Sequence, residues 1–172
     1  MLCAVQGAAA RLECMKIEGE RVVLRAVQDE DVGVLEEILR EPEVAAWWTP
    51  VDEFDEMLAI VLDGQVVGAI QYDEEDDEDY RHASIDIFLS ARHHGRGLGT
   101  DSVRALARWL IRVRGHHRIT IDPAVANTVA IRCYAKVGFK PVGTMREYER
   151  DPVSGEWRDG LLMDLLAREL VD

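Results

Sequence analysis

The sequence predicts a single α/β domain built on one mixed sheet. Strand-like and helix-like segments alternate along nearly the whole chain. An early hairpin signal excludes a purely parallel sheet, and no linker, internal repeat or low-complexity stretch divides the chain. At 172 residues the chain is long enough to bury one sizeable core. Residues 1–15 read as a flexible N-terminal extension, and residues 16–172 as the domain.

The elements follow in order. Arg21 to Val27, rich in β-branched residues, is a first strand. Gln28-Asp29-Glu30-Asp31 supplies helix-start chemistry, Val32, Leu35, Ile38 and Leu39 recur at helical spacing, and Pro42 ends the segment. Trp47-Trp48-Thr49-Pro50 is a loop or a short second helix. Met57–Leu62 and Gln65–Tyr72 are strands joined by the Asp63-Gly64 turn. An acidic run from Asp73 to Asp79 reads as a solvated, mobile loop or as a rim for cations. Ala83–Leu89 is the next strand, and a glycine-rich turn follows it directly. Asp101–Val113 is a helix with Val103, Leu106, Ala107 and Leu110 on one face. Arg118–Ile121 is a short strand. Thr128–Val137 is a helix capped by Asn127 and closed by Gly138. Val142–Glu149 and Trp157–Leu166 are strands joined by Asp151-Pro152-Val153-Ser154-Gly155.

Bulk composition limits the function classes. Apolar residues make up 48% of the chain and no apolar run reaches the length of a membrane helix. The first ten residues lack a basic region, so no signal peptide is expected. Cys3, Cys14 and Cys133 form neither a CxxC pair nor a disulfide framework, which suits a reducing, cytoplasmic location. His93-His94 and His116-His117 lack further ligands, read as solvated loop histidines, and lead us to expect no metal. The formal net charge of −13 repels nucleic acid and anionic membrane and attracts cations.

Chemistry concentrates on the turn after the Ala83–Leu89 strand, Arg92-His93-His94-Gly95-Arg96-Gly97-Leu98-Gly99-Thr100. Strand, glycine-rich turn and helix start together make an anion site, because glycine lets the backbone approach and the helix N-terminus offers unpaired N–H groups. No Gly-Lys-Ser/Thr ending is present, which excludes a P-loop. The mid-chain position after an antiparallel hairpin argues against a dinucleotide fold.

Arg92-x-x-Gly95-x-Gly97, together with Asn127-x-x-Ala130-x-x-x-Tyr134-x-Lys136-x-Gly138-Phe139, resembles the paired signatures of the GNAT acetyltransferase superfamily. The resemblance covers roughly Glu20 to Leu166. It implies a mixed, mostly antiparallel sheet with a splayed V between its two central strands, flanked by helices. It implies acetyl-CoA as acetyl donor. The coenzyme's pyrophosphate would rest on backbone amides of His94, Gly95, Arg96, Gly97, Leu98, Gly99 and Thr100, and its pantetheine on backbone groups of Phe88 and Leu89 and on Asn127. Arg96 reads equally as a phosphate ligand and as a solvated loop residue. Tyr134 matches the general acid that protonates the departing thiolate, and it also fits as a core aromatic.

Trp47-Trp48, Ile85-Asp86, Asp122-Pro123 and Ala130-Ile131-Arg132-Cys133-Tyr134 are similar to the aminoglycoside 6′-N-acetyltransferases within that family. This likeness makes Trp48, Asp86 and Asp122 acceptor-binding residues, and Asp86 a general base. Asp122 before Pro123 also reads as a strand-to-loop turn, and Trp48 also as core. The implied substrate is a cationic small-molecule amine, most closely the 6′-amine of an aminoglycoside, acetylated by direct transfer in a ternary complex. Same-fold alternatives act on a protein or peptide amine, a polyamine or a siderophore precursor. A different class is a non-catalytic acyl-CoA-binding module. Neither nucleic acid nor membrane is expected as partner, and the chain is expected to be a monomer or a homodimer.

Overall fold

A computed structural model describes residues 15–49, 51 and 53–171. Cys3, Cys14 and the rest of Met1–Cys14, with Pro50, lie outside the described residues. Among the described residues eight strands form one sheet in the order β1-β2-β3-β4-β5-β6-β8-β7. They are β1 Lys16–Glu18, β2 Val23–Ala26, β3 Met57–Leu62, β4 Gln65–Glu75, β5 His82–Leu89, β6 Arg118–Ile121, β7 Lys140–Arg150 and β8 Trp157–Leu166. The α-helices are α1 Asp29–Leu39, α2 Pro42–Ala45, α3 Leu98–Arg112 and α4 Thr128–Ala135.

The sheet is antiparallel throughout except where β5 meets β6. Those two strands run parallel and pair only through Ala83↔Ile119 and Ser84↔Thr120. Beyond Ser84, β5 stays with β4 as far as Leu89, while β6 follows β8. A V-shaped gap therefore opens between the C-terminal ends of the two central strands, as the family resemblance implies.

Each face of the sheet carries its own core. On one face Leu24, Leu58, Ile60, Ile70, Ile85 and Ile119 pack beneath Leu98, Val103, Leu106 and Leu110 of α3. Tyr134, Val137 and Phe139 join this cluster from α4 and the turn after it. On the other face Met57, Ala69 and Phe88 meet Leu35, Ile38 and Leu39 of α1 and Val44 of α2. Alternation along β5 thus sends Ile85 to the α3 core and Phe88 to the α1 core, as the strand period requires. α1 begins with a capping box between Gln28 and Asp31, and Arg25 pairs with Asp31 at 2.6 Å.

The structure corrects the sequence reading at four points. The first strand is Val23–Ala26, and β1 precedes it as a hairpin partner that was not expected. Asp101 makes that hairpin: its buried carboxylate accepts the amides of Glu20 (2.8 Å), Arg21 (2.8 Å) and Val22 (3.1 Å). The predicted helix Asp101–Val113 starts three residues earlier, at Leu98, because Gly97 supplies a left-handed cap at φ 80°. The acidic run is not wholly a loop, because Asp73, Glu74 and Glu75 belong to β4. Nor is His116 solvated. It is 1% exposed, its Nε2 lies 2.6 Å from Glu74, and Arg114 binds the same carboxylate at 2.8 Å. Burial of a polar ring is tolerated where a charged partner is built in.

Candidate active site

The gap between β5 and β6 is the floor of a cleft of ≈ 790 Å³. Its walls come from the α2 region, the glycine turn with the start of α3, the segment from Asp122 to Tyr134, and the turn end of the β7–β8 hairpin. The two ends of the cleft differ in chemistry.

At one end lies the glycine turn. Gly95 (φ 70°) and Gly97 (φ 80°) sit in left-handed backbone, and a Cβ on either would meet no protein atom within 4 Å. Their identity is therefore set by conformation, not by crowding. Leu98, Gly99 and Thr100 form the first turn of α3, whose amides have no acceptor inside the helix. Gly99 lets this turn close on Leu89 and Cys133, 3.3 and 3.4 Å from the position its Cβ would take. The turn is braced from behind by Arg21, which donates to the Arg96 carbonyl at 2.6 Å. Arg96 itself turns its guanidinium to His93 Nδ1 at 3.1 Å and lies off the cleft wall, while His94, Gly95, Gly97, Leu98, Gly99 and Thr100 line it. For Arg96 the geometry matches the solvated reading. Amides at a positive helix end, glycines without side chains and an open strand edge fit a long phosphorylated thiol such as coenzyme A.

The open edge of β5 is partly engaged. Trp48 Nε1 donates to the Ile87 carbonyl at 3.1 Å, and His94 Nε2 donates to the Leu89 carbonyl at 2.8 Å. Leu89 thus turns its carbonyl to the gap. Phe88 turns its carbonyl toward β4, against Gly68, and its ring meets Trp48 edge-on at 4.9 Å between centroids. Trp48 is both wall and packing. Asn127 is the N-cap of α4, accepting the Ala130 amide at 3.1 Å, and it also lines the cleft.

At the other end the cleft is acidic. Asp86, Asp122 and Glu149 line it there, close enough for the charges of the latter two to act on Asp86. Asp86 is exposed to the cleft void, and the cleft walls crowd its carboxyl. Burial, the nearby charges of Asp122, Asp73 and Glu149, and an opposing hydrogen bond from Gln71 together push its pKa up to about 7. Gln71 stands directly across the β4–β5 ladder from Asp86. Asp122 accepts a short hydrogen bond from Tyr148, which pushes that phenol up to about 12. Tyr134 is buried at the cleft floor. Desolvation first, and then the neighbouring ionisable groups Cys133, Asp86 and Asp122, hold its phenol protonated well above the ordinary range. Cys133 lies 3.3 Å from the Thr100 hydroxyl, and burial pushes its thiol up, away from a thiolate nucleophile.

The fold thus brings Trp48, Asp86, Asp122, Asn127 and Tyr134 around one void with the glycine turn. Sequence reading missed Gln71, Glu149, Tyr148 and Arg158. Gln71 follows from hairpin register opposite Asp86. The other three lie on the last hairpin, whose turn the sequence shows but whose approach to the cleft it does not. No group of three or more metal-ligating side chains occurs among the described residues, and no helix among them is long and apolar enough to cross a membrane.

Comparison with known proteins bears on this site. Residues 23–139 match the model of the Acetyltransferase (GNAT) family. The aminoglycoside N(6′)-acetyltransferase type 1 of Klebsiella pneumoniae is 31% identical over 157 residues, covering 73% of this chain and 77% of the relative. A solved structure of AAC(6′)-Ib with ribostamycin and coenzyme A superposes with a TM-score of 0.71 at 26% identity, over 87% of this chain and 96% of that one. Mycobacterium smegmatis RimJ in complex with CoA-disulfide shares the fold, with a TM-score of 0.81 at 22% identity, over 92% of this chain and 90% of that one. The sheet, its V and the matched motifs agree, and the chain belongs to the GNAT family of N-acetyltransferases.

Proposed function

We propose that this protein transfers the acetyl group of acetyl-CoA to a primary amine of a cationic small molecule, the 6′-amine of an aminoglycoside. One observation carries the reading: a single cleft has a helix-N-terminal glycine turn at one end and three carboxylates, Asp86, Asp122 and Glu149, gathered at the other. Aminoglycosides carry several ammonium groups, and a concave acidic wall concentrates such a cation. The similarity to an aminoglycoside acetyltransferase at 31% identity supports the same choice.

The coenzyme's pyrophosphate binds the amides of His94 to Thr100, and its arm runs along the open edge at Leu89 and past Asn127. The acceptor lies against Trp48 and Asp122. Asp86 removes a proton from the bound ammonium, directly or through water. A pKa of about 7 suits a base that must take a proton near neutrality and pass it on. The free amine attacks the thioester carbonyl, and the C–S bond breaks as the amide forms. Tyr134, protonated across the whole working pH range, gives its proton to the departing sulfur. Transfer is direct, since Cys133 is held as a thiol.

A coupled thiol-release assay tests this reading, with acetyl-CoA and, in turn, a kanamycin-like aminoglycoside, a polyamine and a basic peptide. Activity with the aminoglycoside is expected. Activity with the peptide or the polyamine alone replaces the acceptor assignment. Tyr134→Phe should lower turnover about 10²-fold while coenzyme A binding persists.

A further inference from the structure

Arg158 of β8 joins the acceptor half of the cleft to the last hairpin. Its Nε donates to Glu149 at 3.1 Å. Its Nη1 donates to the Ala46 carbonyl at 3.0 Å and to Asp151 at 3.1 Å. Its Nη2 reaches the Trp47 carbonyl at 3.4 Å, and the guanidinium lies 5.2 Å from the centre of the Trp47 ring. The side chain is only 15% exposed. One planar fork therefore touches the end of α2, the Trp47 ring, β7 and the hairpin turn.

The partners explain why a fork is needed. α2 is four residues long and cannot hold its own shape. The Ala46 and Trp47 carbonyls at its end have no further helical turn to accept, and Arg158 satisfies them. At the other end of the same segment Glu41 binds Ser90 Oγ at 2.8 Å and the Ala91 amide at 2.6 Å. Between these two anchors stands Val44, in the α1 core, and Trp48, directly after the second, sits on Ile87 and Phe88. Glu149, held by the same guanidinium, is one of the carboxylates whose charge reaches Asp86.

We propose that Arg158 is a positioning residue that sets the width and charge of the acceptor pocket by clamping the Trp47–Trp48 wall to the β7–β8 hairpin and fixing Glu149 beside it. The proposal rests on the reading that this half of the cleft receives the acceptor. Lysine cannot replace the fork, because an ammonium is a point donor and does not bridge two carbonyls and two carboxylates at once.

The test uses the full chain with Arg158→Met and Arg158→Lys. Hydrogen exchange across residues 42–49 needs no acceptor, and faster exchange there with unchanged exchange at residues 92–100 is expected for both variants. With the amine that the wild type acetylates, the acceptor KM should rise about tenfold or more in R158M and by a smaller factor in R158K. The acetyl-CoA Kd should stay within twofold. If R158M does not fold, R158K carries both readouts. Unchanged exchange over 42–49, an unchanged acceptor KM in R158M, a wild-type acceptor KM in R158K or a parallel loss of acetyl-CoA affinity each overturns the clamp. If the wild type acetylates none of the amines offered, the acceptor reading fails on its own, and the exchange measurement still decides the clamp.

Discussion

Asp86 keeps its proton up to about pH 7 because protein crowds its carboxyl inside the cleft and other carboxylates stand near it. In the unfolded chain the same group ionises near its ordinary value of 3.8. Between those two pH values the native state holds a proton that the unfolded state has released. Stability from this group therefore falls as pH rises through the window and levels off above about 7. Asp86→Asn, neutral at every pH, should melt above the wild type at pH 8 and converge with it near pH 4, read by thermal melts across pH. The same substitution should lower kcat/KM about 10²-fold or more. Asp122→Asn removes the nearest negative charge, so the acid limb of kcat/KM, expected near pH 7 in the wild type, should move to lower pH. Its acceptor KM should rise several-fold, and a pH–rate profile measures both effects. Tyr134 reads from a motif of fixed spacing, and Asp86 and Asp122 from the likeness at Ile85-Asp86 and Asp122-Pro123. Gln71 and Glu149 could not be read, since each becomes visible only when a ladder sets it opposite a named partner.

At the scale of elements, the longer segments could be read from period and punctuation: β3, β6 and β8 fall where alternation and turn residues place them, and Asn127 caps α4 as its chemistry requires. β1 could not be read, because three residues carry no period and the hairpin exists through a carboxylate many residues away on α3. His116 was misread for a similar reason, its partner Glu74 lying inside a run that looks solvated. One glycine had a purpose hidden from any local pattern. A Cβ at Gly68 would stand 2.2 Å from the Phe88 carbonyl and 2.9 Å from the Leu89 Cα, both backbone atoms. β4 and β5 can approach here only with hydrogen at that position, next to the register shift in the β3–β4 ladder. Gly68→Ala should cost about 2–3 kcal/mol in denaturant unfolding, since the crowded atoms cannot rotate away. It should also weaken coenzyme binding, because Phe88 and Leu89 line the cleft.

Over the whole molecule, a formal charge of −13 sets the long-range field, and the acceptor end of the cleft concentrates it. Steering of a polycation by that field is screened by salt. Raising ionic strength from about 10 mM to about 500 mM should therefore raise the acceptor KM roughly tenfold. The KM for acetyl-CoA, itself an anion repelled by the surface, should hold or fall, and steady-state kinetics at the two salt concentrations separates the trends. The shared fold of relatives with different partners fits this division, since the sheet supplies the donor end and the walls supply the acceptor end. The break in the sheet has a mechanical meaning as well. Two residue pairs, at Ala83 and Ser84, are all that ties strands β1 to β5 to the β6–β8–β7 half through the backbone ladder. Such a sheet is a pair of leaves on a short spine, and a molecule that lays amide groups along the open edge at Leu89 acts as a missing slat. On the proposed reading, the reagent consumed in each turnover is then also a temporary structural member, and the stiffness of the protein should rise and fall with every catalytic cycle.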